Sequence, residues 1–467
     1  MDLLQIVKGF NEILWNSFLM YVLLGVGIFY TLYLGFPQIR HFGLAMKYSF
    51  GSIFKKPDKG TADSDQVNSF QALATAVAAQ VGTGNIAGVA TAIAMGGTGA
   101  VFWMWISALL GMGTIFSEAV LAQEYREVRD GQVVGGPACS CSTSPSFSCK
   151  TSSLCRSSAS FRSKLAAFFS IAVIIALGFI GCMVQANSIS IGLTSAFGMK
   201  DWISGLLIAA LVAIVIVGGQ KRVTTIAELV VPFMAVAYIL GAIIILFIYS
   251  DQIQHVFLSI FEDAFSTEAA AGGAAGTVMK YAIRYGISRG LFSNEAGMGS
   301  TPHAHALANV KDPSIQGFVA MSGVFVDLLI CSATAFIILL TGVHDDTGLI
   351  SVQITQKAFE QTFGHGGVVF LAVSLLIFAF TTIIGWYVFG EMNIRYLFPK
   401  KAVYAFRGIV ICCIFSATIF RADLIWELAD TFNGIMVIPN VIAIIILAPQ
   451  VKKIYKRFLQ RRKTESL

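Results

Sequence analysis

The feature that most constrains this chain is a series of long apolar stretches, each containing at most one charged residue. Most of them have the roughly 20 apolar residues that a helix needs to cross a hydrocarbon core about 30 Å thick. Only 12% of the 467 residues are charged, about half the share of a soluble protein. The stretches cover residues 17–37, 98–117, 165–189, 203–219, 229–249, 317–342, 366–390, 408–420 and 431–449. The sequence therefore predicts an all-α polytopic membrane protein. Its first helix is expected to be retained, because no basic region or small-residue cleavage site flanks it.

Positive charge alternates along the connections between these stretches. With about eleven helices, one set of connections carries 25 lysines and arginines and the alternate set carries 4. The rich set comprises residues 38–68, 122–164, 220–222, 301–316, 391–407 and 451–467. The positive-inside rule makes this set cytoplasmic. We expect an N-terminus outside and a C-terminus inside a bacterial-type plasma membrane.

Two predicted spans are polar and interrupted by glycine, namely residues 70–95 and 285–310. The charge alternation requires a crossing at both, yet polar backbone at membrane depth is tolerated only inside the bundle or along a cavity. Each begins a set of five helices, and the two sets run through the membrane in opposite senses. Interrupted helices at matching positions of two inverted halves indicate the central site of a transporter. We therefore expect a leucine-transporter-type 5+5 inverted repeat preceded by one extra helix.

This architecture divides the chain into four regions. Residues 1–60 form the extra transmembrane helix and a linker, 61–250 the first five-helix repeat, 251–450 the second repeat, and 451–467 a basic cytoplasmic tail.

The interruptions have a physical use, because an unwound helix exposes its backbone. Free amides of one half-helix attract an anionic group, and free carbonyls of the other half coordinate a cation. An α-amino acid would supply the carboxylate and Na⁺ the cation. The alternative is that small residues such as those in "GNIAG" (84–88) serve close helix packing.

The two interrupted segments resemble a known family. "TAVAAQVGTGNIAGVATAIAMGGTGAVFWMW" and "SRGLFSNEAGMGSTPHAHA" are similar to the alanine or glycine:cation symporters, also called sodium:alanine symporters. Supporting stretches are "LGFPQIRHF", "GGQKRVTTIAE" and "FAFTTIIGWYVFGE", so that the resemblance covers nearly the whole chain. It implies Na⁺-coupled import of small neutral amino acids through a ten-helix core. Alanine is the expected substrate, and glycine, D-alanine and serine stay open.

The resemblance also implies site residues in the first interrupted segment, centred on "GTGN" (82–85). The amides of Thr83 and Gly84 are expected to face the substrate carboxylate. Gln80 and Asn85 offer side-chain amides to substrate or ion, although Asn85 could instead cap the second half-helix. The carbonyls of Ala78 and Val81 are expected to bind Na⁺.

Residues on three other helices complete the predicted site. Asn294 is expected to receive the substrate amino group, Phe292 to form a wall, and Gly297 to contact the substrate at the second break. Thr381 and Thr382 are expected to complete the Na⁺ shell, unless they bond their own helix carbonyls. Trp386 could close over a small substrate, and Phe179 or Met183 is expected to line the pocket.

The sequence leaves open the roles of two ionisable residues at membrane depth. Glu295 could be functional, could pair with Arg289, or could cap helix amides. Asp327 is expected to belong to a structural network.

Residues 139–163 have an unusual composition for such a protein. Of these 25 residues, 11 are serine and 4 are cysteine. They read like translation in a wrong frame, and the alternative is a Ser-rich disordered loop. The cysteine spacing fits no common zinc site.

Other functional classes find less support in the sequence. An intramembrane peptidase needs two facing carboxylates, but Asp327 has no obvious aspartate partner. No HExxH sequence or GxxxxGKS nucleotide loop occurs. A passive channel and a proton-coupled transporter of the same fold are the remaining alternatives.

Overall fold

The computed structural model describes residues 3–51, 67–129, 132–134, 164–266, 277–345, 348–349, 351–420 and 422–465. The Ser- and Cys-rich stretch 139–163, whose composition suggests translation in a wrong reading frame, lies outside these residues. A two-stranded antiparallel hairpin of β1 (Glu127–Arg129) and β2 (Gln132–Val134) accompanies the helices. In the described parts of the chain, almost everything else is helical.

The described residues form seventeen α-helices, three of which contain π-helical turns, at Glu12–Leu19, Gly84–Gly88 and Ile174–Gly181. In chain order they are α1 Leu3–Tyr33, α2 Pro37–Arg40, α3 Phe42–Phe50, α4 Ser69–Gln80, α5 Gly84–Gly96, α6 Ala100–Glu124, α7 Lys164–Phe197, α8 Asp201–Ile216, α9 Gly219–Ile248, α10 Ile253–Phe265, α11 Thr277–Asn294, α12 Pro302–Leu307, α13 Pro313–Thr341, α14 Val352–Phe363, α15 His365–Leu397, α16 Ala402–Ala417 and α17 Ala422–Glu465.

The predicted helical membrane architecture is confirmed. Within the described residues, seven helices are long and apolar enough to cross a membrane: α1, α6, α7, α9, α13, α15 and α17. The pair α4 and α5 forms an eighth span that is bent by 48° at its break. The shorter apolar helices α8 and α16 and the segment α11–α12 coincide with the other predicted spans. The total of about eleven and the 5+5 repeat stay predictions.

The outer surface of the bundle is apolar along α9. Leu229, Phe233 and Phe247 expose 77%, 70% and 76% of their surface. In water such a face would be an aggregation hazard, but lipid tails solvate it without cost. Polar side chains are instead buried in the interior, around the two broken segments.

The first broken segment begins at a capping box. Asn68 Oδ1 accepts from the amide of Gln71, and Gln71 Oε1 accepts from the amide of Asn68, which satisfies two free helix donors. The helix α4 ends at Gln80, because Val81 adopts an extended conformation with ψ 94°. The chain returns to helical geometry at Thr83.

The second broken segment is interrupted over a longer distance. Helix α11 ends at Asn294, and α12 begins at Pro302, whose fixed φ suits a helix start. Between them Glu295, Gly297 and Gly299 have φ values of 56°, 88° and 78°. The left-handed region costs glycine little but strains a residue such as glutamate.

The two broken segments run antiparallel and meet at their breaks. The start of the first segment touches the end of the second, where Val67 and Ala308 form a single β-bridge, locally of the parallel type. A Cβ on Gly84 would lie 3.2 Å from Ser293 Cα, and one on Gly96 would lie 3.1 Å from Tyr285 Cβ. Both breaks are therefore brought to one place in the interior.

Candidate functional site

Side chains replace helix carbonyls as hydrogen-bond acceptors at the first break. The amide of Gly82 donates to Asn85 Oδ1 at 3.0 Å, and that of Thr83 donates to Gln185 Oε1 at 3.2 Å. In a continuous helix these amides would bind carbonyls four residues earlier, so the carbonyl of Ala78 is released. The prediction that the Thr83 amide faces a substrate needs correction, because Gln185 already binds that amide. Asn85 Oδ1 accepts from an amide of the break itself, that of Gly82, and does not cap the second half-helix.

The carbonyl of Ala78 and two others surround one hydroxyl. Thr382 Oγ1 lies 2.8 Å from Ala78 O, 3.2 Å from Val81 O and 3.1 Å from Phe378 O. A hydroxyl has one proton and can satisfy only one of these acceptors at a time. The arrangement thus gathers four oxygen atoms of the type that hard cations prefer.

Glycine is required for this approach. A Cβ on Gly82 would lie 2.4 Å from Thr382 Oγ1 and 3.1 Å from Gln185 Oε1. Any side chain at this position would displace the hydroxyl from the carbonyls. The glycine signal in the first segment therefore has a local cause.

The neighbouring threonine does not join the cluster. Thr381 Oγ1 donates to Phe378 O on its own helix at 2.8 Å and lies 3.7 Å from Met234 Sδ on α9. Its side chain points away from α4 because adjacent helical residues diverge by about 100°. The role of Thr381 as an ion ligand stays a prediction, and the ion site proposed below does not use it.

Four buried polar atoms at the breaks have no hydrogen-bond partner among the described residues, and one of them is Asn440 Oδ1 beside Gly299. The other three lie where the two segments meet. They are Gln80 Oε1, Thr83 Oγ1 and Asn294 Nδ2, and each belongs to a residue that is at most 2% exposed. Gln80 Nε2 donates to Asn294 O at 2.7 Å, which holds two of these side chains together. Buried polar atoms are nearly always paired, so the group suits a small polar ligand.

The second break is occupied by a carboxylate of the protein. Glu118 on α6 accepts from the amides of Gly297 and Gly299, each at 3.1 Å, and from Asn440 Nδ2 on α17. Gly297 was predicted as a substrate contact. That prediction needs correction, since its amide is bound by Glu118 and its carbonyl accepts from Asn440 at 3.0 Å.

A second carboxylate closes the same break. Glu295 accepts from Ser300 Oγ at 2.6 Å, Thr301 Oγ1 at 3.0 Å and Trp386 Nε1 at 2.6 Å. Arg289, a partner that the sequence left open for it, instead pairs with Asp430 at 3.0 Å. Trp386 is thus bound to the second break, and its role as a lid stays a prediction.

Asp327 joins the two breaks. Its Oδ1 accepts from Asn85 Nδ2 of the first segment at 2.6 Å and from Ser293 Oγ of the second at 2.7 Å. The expected structural network therefore exists, but it lies at the centre of the site.

Three predicted pocket residues lie elsewhere. Phe292 contacts Trp426 at a ring distance of 5.9 Å and lines a cavity of about 220 Å³ beside α1 and α17. Phe179 contacts Phe406 on α16 at 5.4 Å, and the half-buried Met183 packs against the core. The prediction that Phe292 forms a wall of the central site is corrected, because the adjacent Ser293 faces that site.

Sequence reasoning gave no role to Gln185, Glu118 or Asn440. Each is a buried polar residue in or beside an apolar stretch of one helix. The rule that such residues at membrane depth are functional could have identified them. Their partners could not be read from the sequence, because these lie more than 100 residues away in the chain.

Comparison with known proteins gives a consistent result. The model of the sodium:alanine symporter family matches residues 1–467. The sodium/alanine symporter AgcS of Methanococcus maripaludis is 38% identical over 100% of this chain and 99% of its own. The amino-acid carrier protein AlsT of Bacillus subtilis is 38% identical over 97% of this chain and 91% of its own. An uncharacterized transporter of Haemophilus influenzae is 38% identical over 99% of this chain and 98% of its own. Family and relatives are named as transporters, not enzymes.

Proposed function

We propose that this chain, which belongs to the sodium:alanine symporter family, is a secondary active symporter that imports small neutral amino acids with Na⁺ by alternating access. The family and its relatives indicate an amino-acid symporter in a membrane. Alanine is the proposed substrate, with glycine and D-alanine as further candidates. The observation that carries the proposal is the oxygen cluster around Thr382.

Na⁺ would bind where the first break releases its carbonyls. Thr382 Oγ1 already lies 2.8 Å from Ala78 O and 3.2 Å from Val81 O, so little rearrangement is needed. The ion would satisfy the carbonyls that one hydroxyl proton cannot satisfy together. Its charge would attract the substrate carboxylate to the neighbouring break, which couples the two binding events.

The substrate would lie between the two breaks, at the unpartnered atoms of Gln80, Thr83 and Asn294. Two antiparallel segments that meet there support the proposed repeats over 61–250 and 251–450. Alternating access then needs one repeat to move against the other around a fixed site. The N-terminus would lie outside and the C-terminus in the cytoplasm, as the charge distribution predicts.

A pair of adjacent threonines provides the test. The purified protein is reconstituted into vesicles, and labelled alanine uptake is measured against Na⁺ concentration. Thr382→Val keeps the shape but deletes a ligand, so half-saturation by Na⁺ should rise about tenfold, or about 1.4 kcal/mol. Thr381→Val is the matched control, because Thr381 faces Met234, and its Na⁺ dependence should equal that of the parent.

The same assay decides between the alternatives. Uptake driven equally by a proton gradient in choline medium would indicate a proton-coupled carrier, and unsaturable flux without coupling would indicate a channel. Equal Na⁺ half-saturation in the parent and Thr382→Val would remove the oxygen cluster from the mechanism. Competition by glycine, D-alanine and serine at fixed Na⁺ would then define the substrate range.

A further inference from the structure

One face of α13 carries a stripe that touches both breaks. Gly323, Asp327 and Cys331 are spaced by four residues and therefore lie on one side of the helix. A Cβ on Gly323 would lie 2.8 Å from Gln80 Oε1. Cys331 Sγ lies 3.2 Å from both Asn85 Nδ2 and Ser293 Oγ, the two donors to Asp327.

Asp327 lacks a cationic partner within the described residues. Its carboxylate is 2% exposed and receives neutral donors, and all the hydrogen bonds shown end on Oδ1. Glu391, which is also buried, differs because Arg395 and Arg407 both contact it. Glu118 and Glu295 also have neutral donors, but both oxygens of each accept hydrogen bonds, whereas those to the Asp327 carboxylate end on one oxygen. A buried charge without a counter-charge is expensive in a membrane and usually marks a functional site.

The unpartnered atoms near the breaks are of two chemical kinds. Gln80 Oε1 can only accept a hydrogen bond, and it lies one turn from Asp327 along the α13 stripe. Asn294 Nδ2 can only donate, and the Thr83 hydroxyl can do both. Acceptors and a negative charge thus lie on the α13 side, and an amide donor belongs to the second segment.

We propose that Asp327, together with Gln80 Oε1, receives the α-ammonium group of the substrate, while Asn294 Nδ2 and the Thr83 hydroxyl bind its carboxylate. This differs from the sequence prediction that Asn294 receives the amino group, because Asn294 Oδ1 already accepts from the amide of Ala296 and Nδ2 can only donate. Asp327 Oδ2 would accept the ammonium while Oδ1 keeps Asn85 and Ser293 in place. The inference rests on the proposed amino-acid transport and adds a determinant of specificity to it. Asp327 would select α-amino acids over 2-hydroxy acids of the same shape.

The test compares L-alanine with L-lactate, which carries a hydroxyl in place of the ammonium group. Binding of labelled alanine to the purified protein in Na⁺ is displaced by each compound. Asp327→Asn keeps the size of the side chain but removes its charge, so alanine affinity should fall about tenfold or more. Lactate affinity should change much less, and the preference for alanine should shrink accordingly.

Glu118→Gln is the matched control, because Glu118 is another buried carboxylate with neutral donors. It should leave the preference for alanine over lactate unchanged. If Asp327→Asn does not fold, Gly323→Ala tests the same side of the site without altering charge. Its methyl group would displace Gln80 Oε1, and alanine should again lose more affinity than lactate.

Equal losses for alanine and lactate, or an unchanged preference in a folded variant, would overturn the role of Asp327 and leave the proposed function intact. A parent protein that binds no alanine in Na⁺ would overturn both proposals.

Discussion

The two breaks carry the same sequence signal and are built in opposite ways. Both combine glycine with asparagine in a predicted span, and both interrupt a helix in the bundle interior. At the second break, the carboxylates of Glu118 and Glu295 accept from two amides and four side-chain donors. At the first break the segment's own polar side chains are neutral, and Gln80 and Thr83 each keep a polar atom without a partner among the described residues. The carboxylate found there, that of Asp327 on α13, is shared with Ser293 of the second segment.

This difference shows that an interrupted helix does not by itself identify a binding site. Exposed backbone amides are an anion site, and at the second break the anion is part of the protein. That break is therefore an anchored bend, which ties α6, α15 and α17 to one segment. The first break is open to external ligands because Gln80 Oε1 and the Thr83 hydroxyl have no hydrogen-bond partner among the described residues.

The largest effect should follow from removing the Glu118 carboxylate, which anchors the second break. Glu118→Ala leaves the amides of Gly297 and Gly299 and the Asn440 side chain without their acceptor. Buried unpaired donors cost about 1–3 kcal/mol each, so thermal unfolding in detergent should occur at a clearly lower temperature. Glu118→Gln retains an acceptor and should lose less. Unchanged stability in Glu118→Ala would show that the second break needs no anchor.

Substitution of Gly84 and Gly88 in the first segment should have smaller effects on stability, and of opposite sign. Gly84→Ala places a methyl group 3.2 Å from Ser293 Cα, whereas nothing lies within 4 Å of a Cβ on Gly88. Overpacking costs about 1–3 kcal/mol, and the displaced Ser293 would disturb Asp327, so stability and alanine binding should fall together. Gly88→Ala should stabilise the helix by up to about 1 kcal/mol and leave binding unchanged.

The Gly84 result bears on an alternative that the sequence left open. Stable Gly84→Ala protein that no longer binds alanine would mean that Gly84 serves a ligand. Loss of both properties supports contact between the two breaks. The structure favours the second outcome, because Ser293 occupies the space beside Gly84.

The sequence predicted a helical membrane protein because the length of its apolar stretches depends on the membrane thickness, and the orientation derived from charge alternation stays a prediction. It also predicted the contact of Thr382 with the carbonyls of Ala78 and Val81, which the structure shows. This success came from the family resemblance together with the preference of Na⁺ for oxygen. Thr381 and Thr382 look equivalent in a sequence, whereas the helix turns them to different neighbours, and it is Thr382 that contacts the carbonyls of Ala78 and Val81.

Contacts between distant helices were beyond sequence reasoning. Nothing near Gly297 indicates that Glu118 binds its amide, and nothing near Thr83 indicates Gln185. The same limit explains why Phe292 was assigned to the wrong cavity, since one residue of register decides which side of α11 a side chain faces. Interior polar residues could be identified as important, but their partners required the fold.

The most direct test of the difference between the breaks is one paired measurement on Thr83→Val and Ser300→Ala. For each purified variant, thermal stability without ligand and alanine affinity in Na⁺ are determined on the same sample. Thr83→Val removes a buried hydroxyl without a partner, so stability should be unchanged or higher while alanine affinity falls. Ser300→Ala removes a donor to Glu295, so stability should fall by about 1 kcal/mol while the folded protein binds alanine normally. The account predicts this crossed pattern. A destabilised Thr83→Val with normal affinity, or a stable Ser300→Ala with weakened affinity, would contradict it.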